Sequence, residues 1–329
     1  MAAFLDAVDL GFFIYFLLTL FMYSTFLGTI LRFRHKEPFS GGFYFHCLTL
    51  GVTDILTLIG IQFFVRFPAR RWLVELCFSG VTGSYTTRIA VCVNHALYFA
   101  QHLGILFICW NRLVAVTMPF KYNQLCSAGK LKLMSLFQLV APFAISAPVL
   151  FFDIGRYKMF GIDTANSNRL YEVDERQIQN NTTWAGNVTY IYKMVWNPEA
   201  RVAESFNIAA LLLNLPFTSI ITLFYVAIGI KLWKQRKSVA PSLSQQAQEE
   251  ARNRDLRLLF SSVVIFMFML IYTLYLVFQA VLSTFDRMAY RIFPIISDLF
   301  SGLNPYLLLI TSRSVRKHFR LFIMCRNDQ

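Results

Sequence analysis

At 329 residues the chain has the length of about two soluble domains, but an apolar content of 56 % and a mean hydropathy of +0.50 exclude that organisation. The net charge of +13 is scattered over several separate polar segments, so it does not mark a nucleic-acid-binding face. The six cysteines do not pair into a framework: Cys47, Cys92 and Cys109 fall inside apolar runs, Cys126 and Cys325 lie in basic segments, and Cys77 stands alone.

Apolar runs of membrane-crossing length occur near residues 10–31, 42–64, 89–110, 133–152, 205–232, 258–282 and 292–311. They predict an all-α fold, a seven-transmembrane helix bundle over residues 10–312 embedded in the lipid bilayer, with no cofactor. The first run begins too early for a basic leader and lacks a small-residue cleavage site, so it reads as a retained span. With residues 1–9 outside, the inner segments hold 19 of the 31 Lys and Arg, which sets a multi-pass orientation with an extracellular N-terminus.

In chain order, the first span reads as scaffold, with Thr19, Ser24 and Thr25 as packing residues. The second carries Asp54 near mid-membrane, where a carboxylate must face the bundle and find a proton, a cation or donors. The outer loop from Val65 to Thr87 is unusually basic, with Arg66, Arg70 and Arg71. The third span is expected to be central because Asn94, His95, Gln101 and His102 are costly against lipid. Their spacing of seven puts Asn94 and Gln101 on one stripe and the two histidines on the next, as pocket lining or as plain interhelical hydrogen bonds. Tyr98 lies between them, and the span ends in Asn111-Arg112-Leu113.

Pro142 and Pro148 predict a kinked fourth span, and Pro216 a break in the fifth. Between those spans, residues 153–204 form a long hydrophilic loop with sequons at Asn180, Asn181 and Asn187, usable as glycosylation sites only outside. Residues 245–255, QQAQEEARNRD, read as a helical extension of the sixth span, whose Tyr272, Tyr275 and Gln279 serve as pocket or interfacial handles. The seventh span combines Asp298, Asn304 and Pro305. Residues 313–329 then form an amphipathic helix on the inner leaflet with a tail, and Cys325 as a palmitoylation candidate.

An Asp in the second span, Asn-Arg ending the third, Asn304-Pro305 in the seventh and an amphipathic helix after it resemble the rhodopsin-like G-protein-coupled receptors. Trp110-Asn111-Arg112-Leu113 with Pro119 and Tyr122, and the run DLFSGLNPYLLL from Asp298, are similar to nematode serpentine chemoreceptors of the class gamma and class V type. The resemblance implies a chemosensory receptor without enzymatic activity, resident in the cilia of sensory neurons. It would take a small-molecule ligand between Asn94, His95, Tyr98, Tyr272, Tyr275 and Gln279, and couple to a heterotrimeric G protein through Arg112, Asn111 and Leu113. Homo-oligomerisation is compatible with it. It further implies a polar switch core of Asp54, Gln101, Asp298, Asn304 and Pro305, with Asp54 a candidate sodium site, and a neutral hydrogen bond from Asn111 as the restraint on Arg112.

Departures from the pattern are a second outer loop without cysteine, Leu308 where a tyrosine is expected, and a sixth span lacking the usual proline and tryptophan. Two other classes compete. A zinc-dependent intramembrane lipid hydrolase would draw ligands from His46, Asp54, His95 and His102, which the sequence places at different depths. A transporter would be expected to show an internal repeat, and none is visible.

Overall fold

A chain whose apolar stretches alternate with short basic turns can satisfy its backbone in lipid only as a bundle of helices, and that is how it folds. The computed structural model describes residues 2–36, 39–69, 77, 80–151, 155–163, 170–172, 188–196, 202–238, 260, 263–275, 277 and 286–324. Helix α1 spans Ala2–Arg32, α2 Gly42–Ile61, α3 Gly80–Thr117, α4 Ala128–Ser146, α5 Val202–Ser238, α6 Val263–Tyr275, α7 Asp286–Thr311 and α8 Arg313–Ile323. Five of these are long and apolar enough to cross a membrane by themselves. The sixth case is α7, which turns by 103° into α8, and α6 contributes a shorter apolar helix among the described residues.

The polar stripes of α3 force it inward. Of its span, 72 % is buried, against 22 % in α1 and 17 % in α5, and it touches α2, α4 and α5. Small residues allow the closest helix approaches. A Cβ on Gly104 would lie 2.6 Å from Gln138 Nε2 of α4, and one on Gly302 would run into Tyr15 and Thr19 of α1.

Two of the prolines lie inside continuous helices. Helix α5 continues through Pro216, with the Ser219 hydroxyl donating to the Leu215 carbonyl at 2.9 Å. Helix α4 continues through Pro142 and changes only at Ala147–Phe151, a 3₁₀ segment that contains Pro148. The second span also differs from expectation. Beyond Ile61 it widens into a π-helical turn, Gln62–Arg66, and ends in a short helical turn, Phe67–Ala69. Arg66 therefore belongs to the helix and not to the basic loop.

Within the long loop lies a three-stranded antiparallel sheet, β1 (Gly155–Asp163), β2 (Leu170–Glu172) and β3 (Val188–Trp196), in the order β2-β1-β3. Nine residue pairs join β1 to β3, from Gly155 opposite Trp196 to Asp163 opposite Val188. The stretch VTYIYKMVW is rich in β-branched and aromatic residues, the composition a pleated surface favours. This sheet was not anticipated; it sits outside the all-α bundle and runs beside α3. Asn180, Asn181, Asn187, Gln279, Cys325, Arg70, Arg71 and the stretch 245–255 lie outside the described residues.

Candidate functional site

The buried polar core forms where α1, α2, α3 and α7 meet. One Asp54 oxygen accepts from the Tyr23 hydroxyl of α1, and the other accepts from Gln101 Nε2 of α3 at 2.6 Å. The same amide reaches Ser301 Oγ of α7 at 2.9 Å, and Asn304 adjoins both Asp54 and Tyr23. All five side chains are buried. Four helices thus converge on one carboxylate, which the low-dielectric interior makes both costly and strongly held.

Each Asp54 oxygen thus accepts one hydrogen bond and keeps a second lone pair. A cation at the candidate sodium site would have to share the carboxylate with this tether from α1.

Asp298 does not join this cluster. It pairs with Arg66 of the π-helical turn at 2.5 Å, with the two side chains 0 % and 8 % exposed. The Arg66 guanidinium also lies 4.9 Å from the Phe12 ring of α1, so an arginine read as a loop cation is the counter-charge of a buried carboxylate. Nor does Tyr306 face the core: its hydroxyl meets Thr19 Oγ1 of α1 at 3.2 Å. Pro305 is buried between them in sequence, and Leu308 is 1 % exposed.

Between the Asp54 core and the N-terminal face lies an aromatic stack. Tyr98 of α3 lies face to face with Tyr272 of α6 at 5.0 Å, and its hydroxyl donates to Ser297 of α7. Tyr272 in turn lies parallel to Phe300 at 6.3 Å and to Tyr275 at 6.4 Å. His102 sits 6.0 Å from Tyr272, with Nδ1 2.8 Å from the Tyr98 carbonyl. Three of the residues expected to line a ligand pocket, Tyr98, Tyr272 and Tyr275, are thus brought together, with their rings against one another. Asn94 is half-buried against Gly60, and its Oδ1 has no hydrogen-bond partner among the described residues; His95 is half-buried on the neighbouring stripe.

At the opposite, basic face the Arg112 guanidinium lies 3.7 Å from the centroid of the Phe43 ring of α2. Asn111 does not restrain it. Its Nδ2 donates to the Tyr122 hydroxyl at 3.1 Å, beside Val114, Cys126 and Leu131, so Asn111 ties α3 to the following turn. The arginine is instead held through a π face, which corrects the neutral hydrogen bond expected from the sequence. Leu113 is half-buried, its carbonyl accepting from the Thr117 hydroxyl at 2.6 Å. Burial raises the pKa of the Cys126 thiol, opposed by the hydrogen bond from Asn111 and the charge of Lys130.

The histidines do not assemble a metal centre. His46 packs against Phe107 at 5.8 Å, His102 is bonded to its own helix, and no group of three or more His, Cys, Asp or Glu positioned to hold an ion occurs among the described residues. The zinc-site reading loses its ligand set on that geometry.

Tyr23, Phe43, Arg66 and Ser301 are functional neighbours the sequence reading passed over. One signal was available: Tyr15, Thr19 and Tyr23 recur every four residues, a polar stripe on a span otherwise apolar.

An α-helical membrane bundle with an arginine at the basic end of its central helix and a buried carboxylate tied to the Asn-Pro helix is the arrangement that the resemblance to seven-transmembrane receptors implies. The chain belongs to the family described as serpentine type 7TM GPCR chemoreceptor Srv, whose profile matches residues 12–198 and 178–325. It is similar to "Serpentine receptor class V-1" of Caenorhabditis elegans, 29 % identical over 140 residues, an alignment spanning 41 % of either chain. Of the two types the sequence resembled, the match is to class V.

Proposed function

We propose that the chain is a plasma-membrane chemosensory receptor of ciliated sensory neurons, with its N-terminus outside, that couples a small-molecule cue to a heterotrimeric G protein. The observation that carries this reading is Arg112, at the basic end of the central helix, with its guanidinium 3.7 Å from the centroid of the Phe43 ring of α2. The contact with the ring itself is worth ~0.5–2 kcal/mol. A cue that separates Tyr98 from Tyr272 would move α6 against α3 and bias the same two-state bundle from its other end. On this reading the aromatic stack is the closed form of the pocket, and Asn94 supplies its unpartnered acceptor. An amide there rather than a carboxylate favours neutral cues over amines.

The test is guanine-nucleotide exchange on a panel of G proteins in membranes carrying wild type or Arg112→Ala, without ligand and with crude chemical cues. Exchange present in the wild type and absent in the variant supports the proposal. Equal exchange in both, at equal surface expression, would overturn the role given to Arg112.

A further inference from the structure

Helices α2 and α4 each follow a basic segment and leave the same face, and where they meet the Thr49 hydroxyl donates to Ser135 Oγ at 3.0 Å. Residues three or four further on lie one turn along the same side of a helix. That register brings Thr53 of α2 level with Gln138 of α4, and both are fully buried. The third helix of this seam is α3, which Gln138 meets at Gly104. A Cβ there would lie 2.6 Å from Gln138 Nε2 and 2.9 Å from Leu50 Cδ1, so the bare glycine backbone is what admits the amide.

The polar groups collected here outnumber their partners. Neither the amide nitrogen nor the amide oxygen of Gln138 has a hydrogen-bond partner among the described residues. Pro142 stands four residues on and has no N–H, so the Gln138 carbonyl also lacks its helical donor. Thr53 gives its own hydrogen to the Thr49 carbonyl at 3.1 Å, which leaves its oxygen as an acceptor. One turn nearer the basic face the same seam holds His46, fully buried, neither of whose ring nitrogens has a hydrogen-bond partner among the described residues.

Polar groups buried without partners are costly, and inside a membrane bundle no bulk water relieves them. Pairing the groups with one another does not close the set at Gln138. Its three acceptors, the amide oxygen, the carbonyl and Thr53 Oγ1, have only the Gln138 amide itself as an uncommitted donor. What completes the set both donates and accepts, and it is neutral, since these groups bear no charge. Buried waters make about three hydrogen bonds to groups of this kind. We propose that the α2–α3–α4 seam binds an ordered water, which accepts from Gln138 Nε2 and donates to the Gln138 carbonyl and to Thr53 Oγ1. Helix α4 is then joined to the bundle through an exchangeable molecule, and it can shift along α3 by trading hydrogen bonds instead of breaking a dry contact.

The experiment is a double-mutant cycle on the full chain in nanodiscs, read by melting temperature, with X-ray hydroxyl-radical labelling of the same samples. Neither membrane orientation nor G-protein coupling enters the readout. Gln138→Met keeps the length of the side chain and removes the amide. With water bound, this takes away one of its partners, and the melting temperature should fall by about 2–4 °C. In a dry seam the same change removes two unsatisfied groups, and the melting temperature should rise. Pro142→Ala returns a donor to the Gln138 carbonyl, so the penalty of Gln138→Met should shrink in that background, because both changes act on one water. Radicals formed from a bound water should label Leu50, which shares Gly104 with Gln138, faster than Leu58, a buried residue two turns along α2. A rise on Gln138→Met, a penalty indifferent to residue 142, or labelling of Leu50 no faster than of Leu58 would each overturn the site. Should Gln138→Met fail to fold, the labelling of the wild type decides.

Discussion

The charges of this bundle are held in two unlike ways. Toward the N-terminal face, Asp298 has an arginine at 2.5 Å, and Asp54, deeper in the bundle, has two donors from different helices. Toward the basic face, Arg112 lies over an aromatic ring. A buried ion pair costs about 3–5 kcal/mol when one partner is removed, whereas a cation on a ring is worth about 0.5–2 kcal/mol. The first region is held by charge pairing and buried hydrogen bonds, and the second includes a cation on a π face.

The largest expected effect breaks the tight region. Arg66→Ala or Asp298→Ala alone leaves an uncompensated buried charge and should cost about 3–5 kcal/mol, read as a lower melting temperature of the solubilised receptor. The double variant Arg66→Met/Asp298→Leu should recover most of that loss. A double variant no better than the singles would mean that the pair is not the reason for the damage.

Next in size is Tyr23→Phe, which removes a hydrogen bond to a carboxylate and should cost roughly 1.5–3 kcal/mol. The rise in melting temperature in sodium over choline chloride at matched ionic strength should be larger in Tyr23→Phe than in wild type. An equal rise in both would show that the tether does not compete with the ion.

The loose region is sharpened by Phe43→Leu. Freeing Arg112 from its ring should raise basal nucleotide exchange by roughly 2- to 30-fold, and Asn111→Asp should lower it by placing a carboxylate beside the cation. Unchanged exchange in both variants would separate Arg112 from the resting state. The smallest effect belongs to Ser312→Ala, a lost cap of about 1 kcal/mol, which should speed amide exchange in the first turn of α8 while leaving the melting temperature nearly unchanged.

What was legible in the sequence were the features that lipid makes expensive. Asp54 and Gln101 had to face inward, and they meet at 2.6 Å. The amphipathic spacing of Val315, Phe319 and Phe322 placed α8, and the polar residues of α3 placed the central helix. Less legible was which partner each group takes. Asn111 and Arg112 are adjacent in sequence, yet a helix turns neighbours about 100° apart, so one side chain reaches Tyr122 and the other Phe43. The contribution of α1 stayed hidden because tyrosine and threonine carry no hydropathy alarm, although their four-residue spacing marks the face that meets Asp54, Asp298 and Tyr306. The sheet in the long loop was missed because hydropathy windows long enough for a membrane span average its short strands together with the polar sequence between them.

The π-helical turn at Gln62–Arg66 has a further consequence, one of register. A π turn accommodates one residue more than the α-helical turn it interrupts, and each residue of an α-helix advances the facing direction by about 100°. Deleting a single residue within this turn would return a regular helix and leave Arg66 close to its present phase, because the wide turn already absorbs that residue. The same deletion in the regular helix before Ile61 has no wide turn to absorb it, and would swing Arg66 about 100° away and strand a buried carboxylate without its counter-charge.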